Sequence, residues 1–64
     1  MYFKYKKLKE FRKAAELTQQ ELADKIGVHR NSIIDYEKGL YEPSGYRMFR
    51  ILIVFDKEMT DFYD

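Results

Sequence analysis

Arg30 and Asn31 are neighbours in this sequence, and Ile34 and Asp35 follow about one helical turn later. Residues three and four apart share one face of a helix. An arginine there can donate two parallel bonds to O6 and N7 of guanine, and an asparagine can pair bidentately with N6 and N7 of adenine. Asp35 is repelled by phosphate, yet it can accept a bond from cytosine N4, and Ile34 suits the methyl group of thymine. The four residues therefore form a candidate surface for reading base edges in a major groove.

Such a surface needs a short, well-anchored helix, and residues 18–39 supply the signals for one. Thr18-Gln19-Gln20-Glu21 has the form of a capping box, in which the Thr18 hydroxyl and the Glu21 carboxylate satisfy each other's backbone amides. Leu22, Ala23 and Ile26 make one face of the helix that starts there. Gly27 ends it, since a residue of positive φ after a helix is cheapest as glycine, and Val28 plugs the turn into the core. The next helix is predicted from His29 to Tyr36 or Lys38. Ile33 and Tyr36 point inward, Glu37 lies at the edge, and Arg30, Asn31, Ile34, Asp35 and Lys38 point outward. Gly39 terminates it.

The flanking segments read as further helices. Residues 1–5 have no period and fit either a short extended arm or the frayed start of a helix. From Lys4 or Tyr5 to Ala15 the pattern is helical, with Leu8, Phe11 and Ala15 on the inner stripe. Pro43-Ser44 is a helix-start signal with Ser44 as N-cap. In residues 44–55, Met48, Ile51, Leu52 and Phe55 fit a helical stripe. The unbroken apolar run from Ile51 to Phe55 also fits a buried strand, and the length of the segment favours the helix. Met59 and Phe62 suggest one last short turn. The expected product is one all-α domain over residues 1–64, with four or five helices.

Composition narrows the function classes. Charged residues are 36% and apolar ones 45%, a globular balance. A chain of 64 residues buries only about 60% of its unfolded surface, so caps and a partner subunit become important. There is no cysteine, and His29 is the lone histidine, so the sequence offers neither a disulfide nor a zinc site. No nucleophile–base pair or glycine-rich phosphate loop is present, so no enzyme and no cofactor are expected. Net charge is only +1, but it is unevenly spread. Residues 1–13 carry Lys4, Lys6, Lys7, Lys9, Arg12 and Lys13 against Glu10, and residues 56–64 carry four acids against Lys57. The N-terminal lysines could reach phosphates as an arm or simply solubilise the first helix, and the second reading is preferred. No apolar run approaches the roughly 20 residues of a membrane span, and no signal-peptide core is seen, so a cytoplasmic location is expected.

Taken together, these residues resemble the lambda-repressor-like helix-turn-helix family, which includes phage repressors and Cro-like proteins. The resemblance rests on Arg12 late in the first helix, Thr18-Gln19-Gln20-Glu21-Leu22-Ala23, the Gly27-Val28 turn, Ile33, Glu37-Lys38-Gly39 and Pro43-Ser44. It implies a transcriptional regulator that binds double-stranded DNA as a symmetric homodimer, most simply a repressor of phage or bacterial origin on an inverted-repeat operator. An interaction module on the same fold, such as an antitoxin or an adaptor of another regulator, is the alternative. The resemblance further implies that Arg12 and Glu37 form a partly buried ion pair and that Gln19 clamps the DNA backbone. His29, which stands where a small hydroxyl residue is usual, is expected at phosphate instead. Lys38, Tyr41, Ser44 and Arg47 complete the expected backbone contacts. Phe49, Ile53, Met59, Phe62 and Tyr63 make an apolar C-terminal set, assigned to the dimer interface.

Overall fold

The computed structural model describes residues 2–64, and a side-chain cap opens only one of its four α-helices, the Ser44 hydroxyl expected to cap another making no such bond. The first helix, α1, spans Tyr5–Ala14; α2 spans Gln19–Ile26; α3 spans Arg30–Glu37; α4 spans Gly45–Phe55; and a single 3-10 turn covers Met59–Asp61. At the start of α2 the capping box is complete. The Glu21 amide donates to Thr18 Oγ1 at 3.0 Å and the Thr18 amide donates to Glu21 Oε1 at 2.8 Å. The backbone bond from Thr18, and then its hydroxyl contact, hold the Glu21 carboxyl below its ordinary pKa. Gly27, at φ +76°, ends α2, and the amides of Gly27 and Val28 both donate to the Ala23 carbonyl.

α3 starts at Arg30, one residue later than the sequence suggested. His29 is its N-cap, with extended backbone and no bond from its imidazole to the helix amides. At the far end Gly39 again takes φ +76°, and the Leu40 amide donates to the Asp35 carbonyl. Gly39 has a second reason to lack a side chain: a Cβ there would lie 2.9 Å from the Tyr5 ring.

Leu8 of α1, Leu22, Ala23 and Ile26 of α2, Ile33 and Tyr36 of α3, and Met48 and Ile51 of α4 form the core. The run from Ile51 to Phe55 is helical. Ile51 is fully buried, Leu52, Val54 and Phe55 are half-buried, and Ile53 is exposed. That graded exposure follows a helical period, where a strand would alternate. On α1 the helix stops at Ala14, which leaves Ala15 exposed, and Arg12 takes an inward position instead.

The largest departure from expectation concerns the chain ends. Asp56 adopts φ 54° and ends α4, a left-handed conformation that aspartate tolerates better than most side chains. The chain then returns across α1. Phe62 is fully buried, so it is not available for the dimer interface assigned to it from sequence, and Tyr63 is nearly buried, showing only an edge in the groove it lines with Phe49 and Met59. Phe62 meets Phe11 edge-on, with centroids 5.3 Å apart, and stacks on Phe3 at 6.4 Å. Phe3 and Tyr63 form an antiparallel bridge, flanked by Lys4 N–H to Phe62 O at 2.7 Å and Asp64 N–H to Tyr2 O at 3.2 Å. The N-terminal segment is thus an extended arm pinned to the C-terminus, with Met1 outside the described residues. The Tyr63 hydroxyl donates to Glu42 Oε2 at 2.7 Å. Burial, followed by that bond and the charge of Glu42, pushes its pKa up to about 12.

The two positive-φ glycines differ in what surrounds them, which gives a graded test. Gly27→Ala meets nothing within 4 Å and should cost only the left-handed backbone penalty of about 1–2 kcal/mol. Gly39→Ala carries that penalty plus the clash with Tyr5, a further cost of about 1–3 kcal/mol. Urea unfolding midpoints of the two variants check the order, and equal midpoints would show that the Tyr5 contact is immaterial.

Candidate nucleic-acid interface

A buried ion pair sets the position of α3. Arg12 Nε donates to Glu37 Oε2 at 2.7 Å and Nη2 donates to Oε1 at 3.2 Å, a two-pronged contact. The third prong, Nη1, donates to the Leu17 carbonyl at 2.8 Å. Gln19 Nε2 donates to Glu37 Oε1 at 3.1 Å. One carboxylate therefore joins the last turn of α1 and the first residue of α2 to the last residue of α3. The Arg12 side chain is 9% exposed and that of Glu37 is 4% exposed, so water competes little for either. Such a pair gains most of its value from completeness, because a single buried partner is costly.

The opposite end of α3 is open. Arg30 and Asn31, in its first turn, are exposed, while Ile34 and Asp35 are half-buried. The two side chains that the sequence singled out as best suited to base edges are thus more accessible than the other two. His29 is exposed beside them. A cleft of about 460 Å³ brings Arg30 together with Gln19 at the start of α2. Lys38 is exposed at the end of α3, and Ser44 and Arg47 are exposed at the start of α4. Tyr41 is 65% exposed and lines a different groove, with Tyr2, Tyr5 and Leu40.

Two parts of this arrangement went unread in the sequence. The Leu17 carbonyl completes the guanidinium's contacts, and Gln19 is tied to Glu37 from 18 residues away. Neither leaves a local signal, since a surface glutamine and a loop carbonyl look alike in any sequence. The other amide hydrogen of Gln19 remains free to donate, so the tie orients the group rather than consuming it.

A family model for the helix-turn-helix matches residues 8–62. The chain belongs to this helix-turn-helix family. An uncharacterised HTH-type transcriptional regulator of the archaeon Methanocaldococcus jannaschii is 44% identical to this helix-turn-helix chain over 57 residues, 89% of this chain and 86% of the relative. Among solved structures, the restriction-modification controller protein C.AhdI from Aeromonas hydrophila is 26% identical, with a TM-score of 0.80 over 89% of this chain and 86% of its own. SinR, the master regulator for biofilm formation, solved in complex with DNA, is also 26% identical, with a TM-score of 0.79 over 88% of this chain and 90% of its own. The architecture is the lambda-repressor-like one, in four helices and a 3-10 turn. A phage or bacterial source was expected from sequence, whereas this relative is archaeal.

The ion pair makes a sharp stability prediction. Glu37→Ala strands the Arg12 guanidinium and should cost about 3–5 kcal/mol. Arg12→Met combined with Glu37→Leu removes both charges and should recover most of that loss. Circular dichroism with urea titration reads both, and a double variant no more stable than Glu37→Ala would show that the charge is not the cause.

Proposed function

We propose that this protein is a sequence-specific transcriptional regulator, a repressor that occupies an inverted-repeat operator as a homodimer. The observation that carries this reading is the exposed Arg30–Asn31 pair at the first turn of α3, a helix whose other end is fixed by the buried Arg12–Glu37 pair. Side chains at the start of such a helix reach base edges when it lies in the major groove. A fixed axis lets them do so without first ordering the helix, which lowers the entropic cost of binding. SinR, of similar fold and 26% identity, has been solved on DNA, which supports the same partner here. Repression is the simplest consequence of occupancy, because a protein seated on a promoter excludes polymerase. The work is cytoplasmic, in a cell that keeps its DNA there.

In this reading Arg30 and Asn31 make the principal base contacts. Ile34 and Asp35 contribute at a thymine methyl and a cytosine amine. Gln19, His29, Lys38, Tyr41, Ser44 and Arg47 hold the sugar–phosphate backbone, which fixes register but carries no sequence information. The homodimer forms through the outer face of α4 and the last turn. Phe49 and Ile53 stand one helical turn apart, 57% and 60% exposed, and Met59 is 47% exposed. Phe49 and Met59 flank an open groove of about 380 Å³ with Leu52 and Pro43. A contiguous apolar patch of this kind favours a second copy over water. Two copies related by a twofold axis would place their recognition helices about 34 Å apart, one turn of the duplex.

In-vitro selection of bound DNA tests the proposal, and the expected product is a short inverted repeat. Failure to bind any DNA even at low salt would overturn it. On the selected site, Arg30→Ala should cost about 1–3 kcal/mol and relax preference at one base pair per half-site. An equal loss on every sequence would reassign Arg30 to the backbone. Ile53→Asp lies on the exposed face, so it should leave the helical spectrum intact while halving the mass seen by ultracentrifugation. A dimer that persists would move the interface elsewhere.

A further inference from the structure

The structure sorts the lysines of the N-terminal region into two groups. Lys4 Nζ lies 3.6 Å from Asp64 Oδ1, and Lys7 Nζ lies 3.5 Å from Glu10 Oε1. Among the described residues, none of Lys6, Lys9, Lys13 and Arg30 has a carboxylate oxygen within 4.0 Å, and all of these but Lys6 line one cleft. Lys9 and Lys13 stand four apart on one face of α1, where like charges repel by a few tenths of a kcal/mol. Together with Arg30, Gln19 and Gln20 they line the same cleft of about 460 Å³, between α1, the first turn of α2 and the start of α3. No acidic residue lines it. Arg12 also reaches the cleft, but Glu37 already neutralises it. Three uncompensated cations therefore surround one concavity. The backbone amides of Gln19 and Gln20 add to it, since neither finds an acceptor within the described residues.

We propose that Lys9 and Lys13 contact the sugar–phosphate backbone of the DNA whose bases Arg30 reads. The footprint then runs from α3 across the start of α2 and onto α1. The inference rests on the DNA-binding reading above and extends it to residues that sequence reasoning assigned to solubility. Charge complementarity selects the occupant: a cleft with three free cations and no acid suits a polyanion. Continuity selects the strand. The major groove is about 12 Å wide, so a helix seated in it has a phosphate backbone close on either side. The cleft opens next to Arg30, at the end of α3 that would enter the groove.

Salt dependence of binding gives the test, because each neutralised phosphate releases counterions. Lys9→Gln combined with Lys13→Gln alters only exposed side chains. It should lower the slope of log affinity against log salt by nearly 2, at about 0.9 per phosphate contact. Base preference on the selected site should not change. Lys6→Gln combined with Lys25→Gln makes the same change in net charge on exposed positions outside the cleft, and its slope should stay close to that of the parent. If the parent binds DNA but the Lys9/Lys13 variant keeps its slope, or if both double variants fall alike, the α1 contact is overturned while the DNA-binding reading stands. If the parent binds no DNA at low salt, the reading itself fails and takes this proposal with it.

Discussion

The Arg12–Glu37 pair is the constraint on which the geometry of the interface depends. Its two charges come from residues 25 apart in sequence, and both side chains are almost wholly removed from water. A lone buried charge would be expensive, so the pair holds only if α1, the loop at Leu17 and the last turn of α3 are all in place. That gives the ion pair a role beyond its modest net contribution to stability. It makes the direction of α3 a consequence of the whole fold. Gln19 extends the constraint to the first residue of α2, so both helices of the motif are referred to the same carboxylate.

The two ends of α3 are treated differently, and that difference organises the surface. The Glu37 end is buried, bonded and fixed. The Arg30 end is exposed, and the charged residues that share its cleft are cations rather than acids. His29 caps it without a side-chain bond, so local stability is given up where the surface is most open. In a chain with overall charge of only +1, Lys9, Lys13 and Arg30 on this side find no carboxylate among the described residues, while Lys4 and Lys7 are neutralised elsewhere. The field at the interface is thus set by which lysines find partners, and net charge conceals it.

The chain ends solve the small-core problem. A domain of this size has little apolar area to bury, and this one recruits both termini. Phe3, Phe11, Phe62 and Tyr63 form an aromatic cluster closed by an antiparallel bridge. The consequence reaches the assembly surface. With Phe62 and Tyr63 inside, the members of the C-terminal apolar set that stay exposed are Phe49, Ile53 and Met59. The partner surface proposed above is therefore narrower than the sequence suggested.

Local chemistry explains what the sequence by itself determined. The capping box at Thr18–Glu21, the left-handed Gly27 and Gly39, and the inward set Leu22, Ala23, Ile26, Ile33 and Tyr36 all follow from residues within a few positions of one another. Those signals bounded α2 and α3 to within a residue or so, and they exposed Arg30 and Asn31. The Arg12–Glu37 pairing was legible only through family resemblance, since spacing alone cannot join residues 25 apart. Tertiary structure decided the rest. Whether Ile51–Phe55 was strand or helix, whether the aromatic ends faced inward or outward, and which lysines met an acid all depended on contacts between residues distant in sequence. Hydrophobic burial and charge pairing do not depend on sequence distance, so the sequence named the groups capable of them but not the partners they found.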